Sequence, residues 1–386
     1  MTNAQEKASD RPNIHGGRRP ERVDTVVIGG GQCGLAVGYY LKKQPGSFVI
    51  LDENQRTGDC WRRRYDSLRL YSPARVDGLP GMRFPGSPRA FPTGGEMAEY
   101  LATYAREFEL PIRFGVHVTG VRRPPGDQDS YLVTGPDCSY EASNVVIATG
   151  GQHLPYVPEF AGQLDPDIRQ FHSSDYRNPS QLQDGGVLIV GASHSGADLA
   201  MECAPGHRTW LAGRDRGQFP FALEGRAARL ALPVLWFAAN HVLTVRTPPG
   251  RKMRGHVRSE GGPLLRYKRE DLAAAGVERT EERVVGVRDG KPVLEGGEAL
   301  DVANVVWCTG FRHDFSWIDL PLLDETGWPS QTDGESDDNP GLFFAGLIFQ
   351  FSFASMLVGG AARDARVVAA RISTRSRSKA RQLSVA

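Results

Sequence analysis

The 386-residue chain carries one pattern twice. Val23–Gly34 reads VDTVVIGGGQCG and Gly186–Gly196 reads GVLIVGASHSG. Each is a β-branched apolar run that ends in a turn of small residues and opens onto a helix-compatible amphipathic stretch. Each is answered further on by an apolar run closed by Thr-Gly, Asn144–Gly150 (NVVIATG) for the first and Asn304–Gly310 (NVVWCTG) for the second. A strand, tight turn and helix repeated together with a return strand predict an α/β chain with two dinucleotide-binding (Rossmann-like) domains, the second inserted into the first. The expected boundaries are a disordered lead-in at 1–22, the first domain at 23–158, and the second at 159–312 with an apolar insert at about 219–262. The first domain then returns at 313–370, before a basic, disordered tail at 371–386.

Composition narrows the class. A content of 45 Gly suits many tight turns, and 46 basic against 45 acidic residues leave no global field that would favour nucleic acid. The five cysteines (Cys33, Cys60, Cys138, Cys203, Cys308) lie at irregular spacings without C-x-x-C, as expected of reduced thiols in a cytoplasmic protein. The same spacing argues against a zinc site or a disulfide scaffold. The polar N-terminus has no apolar core of a secretory signal. No apolar run reaches the ~18 residues of a spanning helix. The nearest, Leu230–Val245, is broken by Pro233 and Asn240–His241 and is followed by Arg246, Arg251, Lys252, Arg254 and Arg258. It is expected to be a buried cap or substrate-tunnel helix in preference to a membrane contact; if exposed, it would support a homodimer. The five basic residues after Ile372 and at Arg371 read as a solvated tail, with a weak anionic-surface contact as the alternative.

Local signals place further elements. Thr93-Gly94-Gly95-Glu96 is a capping box that predicts a helix through about Phe108, stopped before Pro111. Arg113–Arg122 and Tyr131–Thr134 are expected as strands of a small antiparallel layer. Ser67–Pro92 reads as a long structured loop whose Tyr71, Phe84 and Phe91 favour a functional role.

In the first unit Gly29, Gly31 and Gly34 satisfy G-x-G-x-x-G. They allow the tight turn, a close backbone approach to a pyrophosphate, and helix–strand packing, in that order. The helix that starts at Gln32 and Cys33 offers free N–H groups to phosphate. The next strand, Phe48–Leu51, ends at Asp52-Glu53; Asp52 is favoured for a ribose contact and Glu53 is the fallback. In the second unit, Gly191-Ala192-Ser193-His194-Ser195-Gly196, serine replaces the middle glycine and can still donate to phosphate. Its second strand, about Arg208–Leu211, runs into Ala212-Gly213-Arg214 with no acid. Arg214, with Arg216 beside it, suits a ribose 2′-phosphate, which favours NADPH over NADH.

These residues resemble the class B flavin-containing monooxygenases, including their bacterial flavoprotein relatives and the plant auxin-biosynthesis flavin monooxygenases. The likeness spans Thr25–Ile372 and includes VVIGGGQCG, Gly58-Asp59-Cys60-Trp61, YDSLRL (Tyr65–Leu70), the Thr-Gly strand ends and Gly341–Leu347. The resemblance implies FAD at the first unit and NADPH at the second. It places Trp61, Leu70, Thr149, Gly150, Gly310 and Gly346 beside the cofactors. Of the family's F-x-G-x-x-x-H-x-x-x-[Y/F/W] signature, His172 and Tyr176 match, whereas Pro166 and Ile168 stand where Phe and Gly are expected. His172 is therefore read either as an NADP contact or as a hinge histidine bonding backbone. Tyr71 and Ser72 follow Leu70 where heteroatom oxygenases use an Asn.

No Ser-His-Asp arrangement, paired carboxylates or metal cluster stands out, so no catalytic side chain and no metal are assigned. The implied reaction is hydride transfer from NADPH to FAD, O2 activation at flavin C4a, and oxygen transfer to a small organic substrate. Leu230–Val245 and Phe349–Phe353 are candidates for lining the substrate's approach, with ordinary core packing as the competing reading. Two alternatives share the architecture: a flavin-dependent NAD(P)H oxidase or quinone reductase without oxygen transfer, and a non-catalytic nucleotide sensor. The missing cysteine pair argues against a disulfide reductase.

Overall fold

The computed structural model describes residues 19–151 and 153–385. Its first unit opens with β1 (Glu21–Ile28), α1 (Gln32–Leu41) and β2 (Phe48–Asp52), followed by the short α2 (Asp59–Arg62) and then α3 (Gly94–Glu107). Next come β3 (Ile112–Phe114), β4 (Gly120–Arg122), β5 (Tyr131–Gly135) and β6 (Cys138–Ile147). Val26, Val27 and Ile28 are buried on both sheet faces, which is why the run is continuously apolar. The capping box is formed: Thr93 Oγ1 accepts the Glu96 N–H at 3.1 Å, and the Glu96 carboxylate accepts the Thr93 N–H at 2.7 Å.

The chain then crosses to the second unit through β7 (Leu154–Pro155). That unit contains β8 (Arg169–His172), β9 (Val187–Val190), α4 (His194–Cys203) and β10 (Thr209–Ala212). The insert follows, as α5 (Arg226–Phe237), a π-helical turn at Ala238–Val242, and α6 (Pro248–Ser259). Then α7 (Arg269–Ala274), β11 (Glu278–Thr280), the hairpin β12 (Val284–Arg288) and β13 (Lys291–Leu294), and β14 (Asn304–Trp307) complete the unit. The way back is β15 (Phe311–Arg312), which pairs antiparallel with β7, so both crossings run side by side. The return adds β16 (Gln331–Thr332), β17 (Glu335–Ser336), β18 (Leu342–Phe344) and α8 (Ala361–Val385).

The duplication seen in sequence is a duplication of topology. The first sheet contains the parallel order β18-β6-β1-β2-β3, and the second is β8-β14-β9-β10-β11 throughout. In each, the strand before the glycine turn lies centrally, flanked by its successor and by the Thr-Gly strand. Both turns therefore sit at the carboxyl ends of central strands, where ligands of such sheets bind.

Four expectations need correction. β1 starts at Glu21, inside the lead-in assigned to 1–22; residues 1–18 of that lead-in lie outside the described residues. The run 113–122 is two strands, because the chain turns at Gly115 (φ +68°); β3 joins the parallel sheet while only β4 joins the antiparallel layer. The segment 371–386 is not a disordered tail: through Val385 it continues α8. Ala361, Ala365, Val368, Ala369 and Ile372 pack into the cluster around α1, and a helix secured there propagates at little further cost through the basic residues. Finally, Leu230–Val245 is not a buried cap, since Leu230 is 81% exposed and Phe237 61%. Among the described residues no helix is long and apolar enough to cross a membrane.

Candidate cofactor site

The first turn is shaped by backbone contact. Gly29 has φ +105°, and a Cβ there would stand 2.5 Å from the Ala148 carbonyl oxygen. A Cβ on Gly34 would land on the Gly29 carbonyl, so α1 packs directly on the turn. Gly31 is different: nothing lies within 4 Å of the place a Cβ would take. This open face, at the N-cap of a helix whose first N–H groups have no side-chain cap, is where an anion can come closest. Gln32 and Cys33 are the first residues of that helix.

Asp52, the last residue of β2, is buried and aimed at the turn. One oxygen accepts the Gly30 N–H at 3.0 Å; the other accepts from Asn54 N at 2.9 Å and Asn54 Nδ2 at 2.7 Å. Glu53 instead faces His117 at 3.2 Å on the exposed side. The geometry thus brings Asp52 to the turn and leaves Glu53 outside. Gly346, on the return segment after β18, closes over Cys33: a Cβ there would be 2.6 Å from the thiol sulfur. Burial pushes the Cys33 thiol up to about 12, so it stays protonated. Leu70 is buried and Trp61 half-buried in the same apolar cluster. Thr149 and Gly150 follow β6, and both bond His153, through Thr149 Oγ1 at 3.1 Å and the Gly150 carbonyl at 2.9 Å.

The second turn repeats the backbone. Gly191 has φ +114° and sits against the Cys308 carbonyl, and a Cβ on Gly196 would land on the Gly191 carbonyl. Its side chains behave differently. Ser193 Oγ donates to the Gly262 carbonyl at 2.8 Å and contacts His194 Nδ1 at 3.1 Å. The end of the insert therefore lies on the turn. His194 is covered by Gly262 and by the Tyr71 ring, 4.9 Å away edge-on, and burial lowers its pKa to about 4. Ser195 follows as the second residue of α4.

At the strand end, Gly213 takes the position held by Asp52 in the first unit; a Cβ there would be 2.9 Å from Ala192 N. Arg214 is exposed, with no ion-pair or hydrogen-bond partner among the described residues. Asp215 is held by both Arg269 and Arg279, and Arg216 by Glu260. The strand end consequently carries excess positive charge.

His172, the last residue of β8, uses both ring nitrogens on the protein. Nδ1 accepts the Ser174 N–H at 3.2 Å, so Nε2 carries the proton and donates to the Gly310 carbonyl at 3.0 Å. It braces the second Thr-Gly end beside the paired crossings.

Sequence reasoning missed a buried cluster that joins the units. Asp198, one turn after His194 on α4, accepts from Tyr71 Oη at 2.7 Å and Tyr65 Oη at 3.3 Å, with Arg266 at 3.8 Å. Arg266 also donates to the Leu70 carbonyl at 2.9 Å. The available signal was a pair of acids, Asp198 and Glu202, four residues apart on one face of α4.

The profile of the family described as pyridine nucleotide-disulphide oxidoreductase matches residues 26–218, which spans the first turn through the second strand end. The chain is 36% identical to an uncharacterized CzcO-like oxidoreductase of Geobacillus kaustophilus, over 89% of this chain and 96% of that one. The chain belongs to this oxidoreductase family. A probable indole-3-pyruvate monooxygenase of Arabidopsis thaliana, YUCCA8, is 26% identical over 89% of this chain and 87% of its own. Among solved structures, the flavin-containing monooxygenase of Stenotrophomonas maltophilia superposes with TM-score 0.68 at 25% identity, covering 92% of this chain and 99% of that one. With these relatives the chain is flavin monooxygenase-like, a flavin-dependent oxidoreductase. Among the described residues, this oxidoreductase has all five cysteines free and no His/Cys/Asp/Glu group arranged for a metal.

Proposed function

We propose that the chain is an NADPH-dependent flavoprotein monooxygenase, with FAD at the first turn, NADPH at the second, and O2 and a small organic molecule as co-substrates. The observation that carries this reading is a repeated turn with opposite charge at its strand end: Asp52 wired to one turn, unpaired Arg214 beside the other. Gly29–Gly34, Asp52 and Gly346 would hold the FAD. Gly191, Ser193–Gly196, Arg214 and Gly310 would hold the NADPH.

Bound FAD would accept hydride from NADPH and activate O2. The chain's own residues do the rest. The α1 N–H groups neutralise the pyrophosphate, while Asp52, which uses only part of its acceptor capacity, takes ribose hydroxyls. Arg214 pairs with a 2′-phosphate, which a strand-end acid would repel. Trp61, Leu70 and the apolar cluster around them would keep water away from a flavin held at the first turn.

The test is rapid mixing of NADPH-reduced protein with O2, in the presence of amines, thioethers, ketones and aryl-pyruvates. A monooxygenase gives an absorbing transient whose decay is hastened by its substrate. Direct return of the oxidised spectrum with stoichiometric peroxide would instead support the oxidase or quinone-reductase alternative.

A further inference from the structure

Among the described residues, half of the exposed large apolar side chains lie on one stretch: Leu230, Val234, Leu235, Phe237 and Val242. Leu230, Val234 and Phe237 recur at helical spacing and are 81%, 67% and 61% exposed, so they form one stripe along α5. The stretch is fixed in this orientation. Ala228 is buried, and Trp236 lies over Gly359, where a Cβ would be 2.6 Å from the indole. Arg363 donates to the Asn240 carbonyl at 3.2 Å, and Val245 N donates to the Phe351 carbonyl at 3.0 Å.

The charge around this stripe is one-sided. Residues 219–262 hold seven basic side chains and two acidic ones. Both acids are engaged, Glu224 with Arg69 at 4.0 Å and Glu260 with Arg216. Arg226, one turn before Leu230 on the same stripe, has no ion-pair partner among the described residues, and neither do Arg229, Lys252 and Arg254.

We infer that α5 docks on an anionic lipid surface, its apolar stripe at the acyl boundary and its unpaired cations at the headgroup phosphates. A second copy of the chain suits the face less well. Across a two-fold axis the stripe would meet itself, setting Arg226 against the Asn240–His241 end, which offers no acid. Because the stripe is exposed, the sequence-based preference for a buried cap no longer argues against lipid contact.

The test is co-sedimentation of the full chain with phosphatidylcholine vesicles and with vesicles that also carry phosphatidylglycerol. Binding is expected only to the latter and to weaken with salt. Arg226→Gln with Lys252→Gln should reduce it, roughly fivefold per residue. Val234→Asp with Phe237→Ser should abolish it while leaving the thermal unfolding midpoint unchanged, since these side chains are exposed. Failure of the wild-type chain to bind either vesicle overturns the inference, as does equal binding to both. A wild-type dimer that the Val234→Asp, Phe237→Ser pair converts to monomer, without vesicle binding, assigns the face to a second copy instead.

Discussion

The two glycine turns are nearly the same object in backbone and different objects in chemistry. Gly29 and Gly191 share the same positive φ, and each is backed by the carbonyl of its Thr-Gly strand. What differs lies one strand away and above. Asp52 is bonded to its turn through Gly30 N at 3.0 Å, whereas the matching place in the second unit is Gly213, leading to an unpaired Arg214. The first turn presents an open Gly31; the second presents Ser193, whose hydroxyl is engaged by the Gly262 carbonyl. The two turns thus share a backbone and differ in strand-end charge; under the proposed function, that difference is what assigns FAD to the first turn and NADPH to the second. The insert also meets the second turn, where the Gly262 carbonyl accepts from Ser193.

The largest expected effect comes from filling the open face of the first turn. Gly31→Val should remove flavin, seen as loss of the visible absorbance per chain, by roughly 100-fold or more in affinity. The fold should survive, since nothing lies within 4 Å of the new Cβ. The contrasting change, Gly196→Val, should destabilise the second unit by about 3 kcal/mol in a denaturant titration, because its Cβ meets the Gly191 carbonyl.

Next in size is Arg214→Ala. Loss of a charge-assisted bond worth about 1.5–3 kcal/mol should raise the KM for NADPH roughly 10- to 100-fold and leave NADH unchanged. An equal effect on both nucleotides would break the contrast in strand-end charge. Glu260→Gln should act in the opposite direction. Releasing the insert end from Arg216 frees the second turn more often, so NADPH should bind about three- to tenfold tighter by equilibrium titration. Flavin retention at the first turn should not change.

The smallest effect is in pH. His194, which occupies the place of Gln32 in the first turn, stays neutral in the folded chain down to about 4, while the unfolded chain takes up a proton near the ordinary 6.5. The unfolded state therefore binds more protons between these values, and stability falls as pH drops from 6.5 toward 4. His194→Gln should recover about 1 kcal/mol near pH 6 and nothing at pH 8, read from denaturation midpoints.

Much of this contrast was legible in the sequence because it is local. The turns, their return strands and the Thr93 capping box each lie within a few residues, and Asp52 follows its own strand. Asp52 was favoured over Glu53 because it directly ends the apolar run, and the structure turns the two side chains apart, as alternation along a strand does. What escaped notice is tertiary. Asp198 meets Tyr65 across 133 residues, and Ser193 meets Gly262 across 69. No spacing rule encodes such pairs. The apolar run at Leu230 announced a buried surface, yet a run alone does not say whether its own chain supplies the cover. The basic residues after Ile372 masked a helix whose stability comes from the apolar stripe before them.

The central claim, that one backbone device is used once for a flavin and once for its reductant, is tested most directly by anaerobic titration of the purified chain with NADPH. The account predicts one flavin per chain, bleached stoichiometrically by NADPH, with NADH needing a higher concentration. A folded chain that holds no flavin, or flavin that NADPH leaves oxidised, would contradict it.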